Sequence, residues 1–278
     1  AGVDKVASIK VKEKDSGNKI AVLYAEGEIR DDDSSSPFSA DEQVISEEMA
    51  NKLRKLKDDD DVKAVVFRVN SPGGSAYISE QIWKEVVELK AKKPIVVSMG
   101  NYAASGGYYI SCAANKIVAE RTTLTGSIGV FGVVRNFTGT FDKVGVTTDI
   151  VKTNTFADLG DISRPMREDE KALIQRGVEQ TYDLFLTRCA DGRGMTKAEI
   201  DSIGQGRVWT GEQALERGLV DQLGGMDDAI KEAATLAELT DYSVIVADGP
   251  KDFFTKFMEK QMDEAKVSIA KSVMGEEQ

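Results

Sequence analysis

The chemistry of this 278-residue chain has to be carried without histidine, because the sequence contains none. A Ser-His-Asp or Cys-His arrangement is therefore impossible within it, and most zinc hydrolase sites lose their usual ligands. A nucleophile here must work with another base. Ser105 stands in Ala103-Ala104-Ser105-Gly106-Gly107-Tyr108, after an apolar run and before the small-residue segment Ile110-Ser111-Cys112-Ala113-Ala114, which suits a closely packed helix. A serine at such a strand-to-helix turn exposes its hydroxyl at the sheet edge and has the following backbone N–H groups on a helix N-terminus. Small neighbours admit a substrate carbonyl, and the Gly106 N–H can donate to a developing oxyanion. The same residues also suit a plain helix N-cap.

Ser71-Pro72-Gly73-Gly74 forms a second candidate, at the end of the preceding apolar run. Its glycines leave backbone N–H groups unshielded by side chains, as a second oxyanion donor requires. On its own the motif also fits a tight β-to-α turn with no chemistry. The two motifs together, at the ends of neighbouring parallel strands, are harder to assign to chance.

Those strands have to be supplied by the surrounding pattern. Lys19–Ala25 reads as a first strand, and Arg30–Ala40 as a mobile polar loop. Val44, Ile45, Met49 and Leu53 recur at helical spacing and predict a helix over 42–56; the acidic run Asp58–Asp61 reads as a solvated turn. Val62–Val69 and Pro94–Met99 are apolar, β-branched runs, with a helical pattern over Tyr77–Lys90 between them. Strand, turn, helix and strand repeated in this way predict right-handed crossovers, a mainly parallel sheet and a site at the strand C-terminal ends.

Further strands are expected at Ile128–Val134, Val146–Val151 and Ser243–Val246. A long helix is expected over Glu168–Ala190, with Leu173, Ile174, Val178, Tyr182, Phe185 and Leu186 inward and a stop at Gly192-Arg193-Gly194. Shorter helices are expected near 197–203, 211–217 and 226–239. Residues 1–18 read as a polar lead-in, 19–247 as one domain and 248–278 as an amphipathic tail, whose stripe from Phe253 to Ile269 suits core or subunit packing better than a membrane surface.

A net charge of −11, from 36 basic and 47 acidic residues, argues against nucleic-acid binding. Cys112 and Cys189 are too few and too far apart for a metal motif and read as plain thiols. No cofactor and no metal are expected. No run approaches the roughly 18 apolar residues a spanning helix needs, and the start Ala1-Gly2-Val3-Asp4 is that expected of a piece of a longer protein.

Arg68–Gly74, Ser98-Met99-Gly100 with Ala103–Ser111, Leu124–Val130, Gly206–Gly211 and Gly218–Gly224 together resemble the signature blocks of the signal peptide peptidase A family, in the same order and at similar spacing over roughly 20–239. The resemblance implies an α/β spiral of βαβ units of the ClpP/crotonase superfamily. It implies a serine peptidase with a Ser/Lys dyad that degrades cleaved signal peptides, in a bacterial, membrane-anchored homo-oligomer with its catalytic domain on the extracytoplasmic side. Carried over by motif, Ser105 resembles the nucleophile, Gly74 and Gly106 the oxyanion N–H donors, and Ser127 the serine that orients the lysine ammonium.

The base departs from the family pattern. In single-domain members it lies in the segment resembling Ile150–Asp158, and aligning Lys152 with the family's strand-end lysine leaves Ala157 at the base position. In tandem members one half supplies the lysine and the other the serine, so this chain resembles a C-terminal half whose base comes from the N-terminal half. Lys152 is the fallback base within the chain. The competing readings are a crotonase-like acyl-CoA enzyme and a non-catalytic half that builds the oligomer. An apolar groove for signal-peptide segments is expected around Tyr77, Tyr102 and Tyr108.

Overall fold

The computed structural model describes residues 17–31 and 44–247. The lead-in, most of the 30–40 loop and the amphipathic tail, named above, lie outside the described residues. In chain order the elements are β1 (Lys19–Glu26), β2 (Glu28–Ile29), β3 (Val44–Ile45), α1 (Glu48–Asp58), β4 (Val62–Ser71), α2 (Ala76–Lys90), β5 (Ile95–Ala104), α3 (Gly106–Tyr109), β6 (Lys116–Ala119), β7 (Leu124–Gly126), α4 (Thr138–Val144), α5 (Glu168–Arg193), α6 (Lys197–Ile203), β8 (Val208–Thr210), α7 (Gly211–Glu216), β9 (Gln222–Leu223), α8 (Met226–Leu236) and β10 (Ser243–Val246).

The main sheet runs β10-β1-β4-β5-β6-β9, every pair along that path parallel. Its alternation follows from burial on both faces. Ile20 and Val22 of β1, with Ala64 and Val66 of β4, point to the alanine face of α8 at Ala229 and Ala233. The intervening Ala21, Leu23, Val65 and Phe67 point into the larger core filled by α1 and α2. α1 buries Met49, Ala50, Leu53 and Leu56, one helical stripe, and Arg54 and Lys57 on its flank pair with the buried Glu85 of α2.

The sheet splits along β5. Val96–Ser98 pair with β6, whereas Tyr102–Ala104 pair with the separate short strand β7, which in turn carries antiparallel β8. β5 therefore continues past Gly100, where the sequence pattern ended it, and delivers Ala104 to the threshold of α3. This is the α/β arrangement with a mainly parallel sheet that the motifs implied.

Other sequence expectations about the elements also fail. Val44 and Ile45 form the two-residue strand β3 beside β2, so the helix begins only at Glu48. Ile128–Val134 and Val146–Val151 are not strands, and α4 lies between them. Their β-branched composition has no neighbouring strand to pair with among the described residues, and Phe131, Val133 and Val151 are 86%, 78% and 96% exposed; strand propensity is realised only where a sheet offers a partner and a covered face. α5 fully buries apolar side chains only from Phe185 onward, while Leu173, Ile174 and Val178 are half-buried, and it runs through Arg193 to a left-handed Gly194. Cys112 and Cys189 are buried free thiols, and burial pushes the Cys189 thiol well up, which suits an inert core role.

Candidate active site

β4 and β5 end side by side, with Ser71 in register with Ala103. Each then makes a turn that only particular residues tolerate. Ser105 has φ 52° and ψ −121°, a conformation an L-residue enters only at a cost of about 1–3 kcal/mol. It is held there because its N–H donates to the Gly126 carbonyl at 2.9 Å and its carbonyl accepts from Tyr109 N–H at 2.9 Å. Ser105 is the N-cap residue of α3, but its side chain makes no capping hydrogen bond. Its hydroxyl is thus not used as the plain N-cap that the motif alone would allow.

Opposite it, Gly73 and Gly74 have φ of 103° and 146°. The turn is clamped from behind by Ile29, whose N–H donates to Gly73 O at 2.8 Å and whose carbonyl accepts from Ser75 N–H at 2.7 Å. A Cβ on Gly74 would lie 2.0 Å from Ile29 O, and one on Gly73 would lie 2.7 Å from Gly106 N and 2.8 Å from Ser105 Cβ. A Cβ on Gly106 would lie 3.2 Å from Gly74 N and 2.7 Å from Ser79 Oγ. The two glycine turns therefore touch. Among the described residues the N–H of Gly74 has no acceptor, and that of Gly106, first in its helix, has none within it. Gly73 N–H is occupied by Ser71 Oγ at 3.1 Å.

Ser127 comes one residue after Gly126, the Cα partner of Ala104, so it sits beside Ser105 at the end of β7. It too has positive φ, 49°, and its N–H donates to Arg207 O at 2.7 Å. The Gly206–Gly211 block contributes here by holding β7 through β8. Gly126 and Arg207 meet Ser105 and Ser127 through backbone carbonyls, and Ile29 clamps the glycine turn through its backbone N–H and carbonyl, so residue type gave little signal for the part they take.

Lys152, the fallback base, lies in a surface ion-pair cluster. Its ammonium bonds Asp158 Oδ1 at 2.9 Å and Thr155 O at 3.4 Å, at the surface. Asp158, Arg164 and the buried Glu170 continue that cluster: Arg164 reaches both carboxylates, and Arg167 joins Glu170 at 3.0 Å. The hydrogen bond from Lys152 holds the Asp158 carboxyl well below the usual range, and the one from Arg164 holds Glu170 at about 2. That ion pair ties the Lys152 ammonium to the surface cluster. Ala157 offers only a methyl group.

Tyr77 is 67% and Tyr102 48% exposed beside the site, whereas Tyr108 is fully buried with its hydroxyl on Leu219 O at 2.9 Å, so it lines no groove. Burial follows from its place on the inner side of α3.

A parallel α/β sheet with a strained serine at a strand-to-helix turn, packed beside a glycine turn, has the form of a site where a serine hydrolase would use backbone donors. The Peptidase family S49 model matches residues 87–240, more than half of the chain, and a Clp protease model matches residues 38–128. "Protease 4" of Salmonella typhi is 45% identical over 81% of this chain and 36% of its own length. "Serine protease SPPA, chloroplastic" of Arabidopsis thaliana is 37% identical over 80% of this chain and 33% of its own length. A shorter Enterococcus faecium relative, provisionally named a signal peptide peptidase SppA, is 38% identical over 88% of this chain and 71% of its own length. A solved ClpP1 mutant of Listeria monocytogenes overlays with a TM-score of 0.47 at 14% identity, covering 75% of this chain and 94% of that one. The chain belongs to peptidase family S49. It spans about a third of the length of the Salmonella and Arabidopsis relatives.

Proposed function

We propose that this chain is the nucleophile-bearing half of a serine peptidase in which Ser105 acts with a lysine from another domain of the same protein. The carrying observation is the contact of the two glycine turns around Ser105, with Gly74 N lying 3.2 Å from the Cβ position of Gly106. In the reaction, Ser105 Oγ attacks a peptide carbonyl and its proton passes to a neutral lysine amine. The Gly74 and Gly106 N–H groups donate to the oxyanion of the tetrahedral intermediate. Collapse expels the amine, which takes the proton from the lysine, and water then cleaves the acyl-enzyme by the same steps in reverse. Ser127, beside Ser105, accepts a hydrogen bond from the lysine and orients it.

Apolar side chains near the site, Tyr77, Tyr102 and the adjacent Leu124, support a groove for apolar peptides such as remnants of cleaved signal peptides. The exposed apolar side chains Phe131, Val133 and Val151 support burial against a partner domain, whether the N-terminal half or a further copy in a homo-oligomer. No helix among the described residues is long and apolar enough to cross a membrane; attachment to the extracytoplasmic face of a bacterial membrane would be through an anchor outside them. The acyl-CoA reading is not favoured, since the named relatives given above are proteases.

The experiment is hydrolysis of an apolar peptide by the complete protein and by variants. Ser105→Ala is expected to lose activity by about three orders of magnitude or more, and one lysine outside this chain, replaced by Met, is expected to do the same. Full activity in Ser105→Ala, or no such lysine, overturns the reading.

A further inference from the structure

α3 is a single turn of four residues, too short to hold its own geometry, yet it carries Gly106 at its start. α2 carries Gly74 immediately before its N-cap Ser75. The separation of the two free amides is thus the separation of two helix starts. Among the described residues a polar side-chain contact joins these helices directly. The hydroxyl of Tyr109, last residue of α3, donates to Glu80 Oε2 at 2.6 Å on α2. Tyr109 is also the residue whose N–H holds the Ser105 carbonyl.

The contact is itself braced from a third helix. Arg188 of α5 donates to both carboxylate oxygens of Glu80, with Nε 3.2 Å from Oε2. Its guanidinium is stacked 3.9 Å from the centre of the Trp83 ring, one turn along α2 from Glu80. The Tyr109 ring packs on Phe185 of α5 with centroids 4.6 Å apart. A bidentate pair to a planar guanidinium fixes the direction of the Glu80 carboxylate, so the acceptor is pre-set for the phenol. The Tyr109 hydroxyl is pushed well above the ordinary phenol range, chiefly by burial and then by Glu80, so it stays a donor.

We infer that Tyr109, Glu80 and Arg188 are positioning residues that set the spacing of the Gly74 and Gly106 amides, and hence the strength with which the site binds an oxyanion. This rests on the proposed role of Ser105. The effect acts on the tetrahedral species more than on the bound ground state, because the amides meet full negative charge only there.

The test is fluorophosphonate labelling of the complete protein, with the limiting inactivation rate and the inhibitor affinity separated by concentration dependence. Tyr109→Phe is expected to lower the limiting rate by about tenfold to a hundredfold, the scale of a small misplacement in a reacting site, with affinity within about twofold of wild type. Glu80→Gln, which still accepts from the phenol, is expected to keep more of the rate than Glu80→Ala. Glu85→Gln, which loosens the same helix against α1 through Arg54 and Lys57, serves as the stability control and is expected to leave the rate unchanged. If Tyr109→Phe does not fold, the Glu80 pair decides alone. Wild-type rates in Tyr109→Phe or in Glu80→Ala overturn the inference, as does a loss in Glu85→Gln equal to theirs. Absence of labelling in the wild type would instead overturn the role of Ser105 itself.

Discussion

The amide of Ser105 donates to the carbonyl of Gly126 at 2.9 Å, and this bond holds the serine in a backbone conformation that a side chain disfavours. Glycine has no such penalty. Ser105→Gly is therefore expected to be more stable than Ser105→Ala by about 1 kcal/mol, while both lose labelling. Chemical denaturation of the two variants checks the difference; equal stability would mean that the turn is not strained.

Gly74 lies against the Ile29 backbone with no room for a Cβ, the nearest atom being 2.0 Å away. Backbone cannot step aside as a flexible side chain can. Gly74→Ala is expected to break the Ile29 bridge, to cost about 3 kcal/mol or more and to abolish hydrolysis. Amide exchange at Ile29 and Ser75, the two donors of that clamp, reports the break directly.

Asp158 and Glu170 have carboxyl groups held below their ordinary values by Lys152 and Arg164. A carboxylate depressed in the folded state contributes stability that is present above its unfolded value, near 4, and lost as pH falls towards the folded one, about 2 for Glu170. Acid unfolding is expected to steepen below about pH 4. Arg164→Gln leaves the buried Glu170 without its chief partner, so the midpoint should move to higher pH in a fluorescence titration. An unchanged midpoint would show the cluster to be irrelevant to folding.

Lys152→Met removes an ammonium already committed to Asp158. Peptide hydrolysis by the complete protein is expected to stay within about twofold of wild type, the ordinary size of a surface change of under about 0.5 kcal/mol. A loss comparable to that of Ser105→Ala would make Lys152 the base after all.

Much of the frame could be read from residue types. β1, β4 and β10 are apolar runs bounded by polar turns, and the Ser71–Gly74 and Ala103–Gly107 motifs mark where two of the strands stop. The stretch 128–151 misled because strand-forming side chains say nothing about whether a partner strand exists, and here the described residues offer none. Of the candidate site, Ser105, Ser127 and the two glycine turns could be picked out from residue types. The Gly126 tether, the Ile29 clamp and the Arg207 contact to Ser127 use backbone atoms, which any residue supplies. Glu80 has the look of an ordinary solvent-facing helix acid, and only the approach of α3 and α5 gives it Tyr109 and Arg188 as partners.

The most direct measurement is peptide mapping by mass spectrometry after fluorophosphonate treatment of the complete protein and of this chain alone. The adduct is expected on Ser105 in the complete protein, with labelling of the isolated chain slower by at least about a hundredfold for lack of the base. An adduct on a different serine, or equal labelling of Ser105 in both, would contradict a nucleophile that depends on a lysine from another domain.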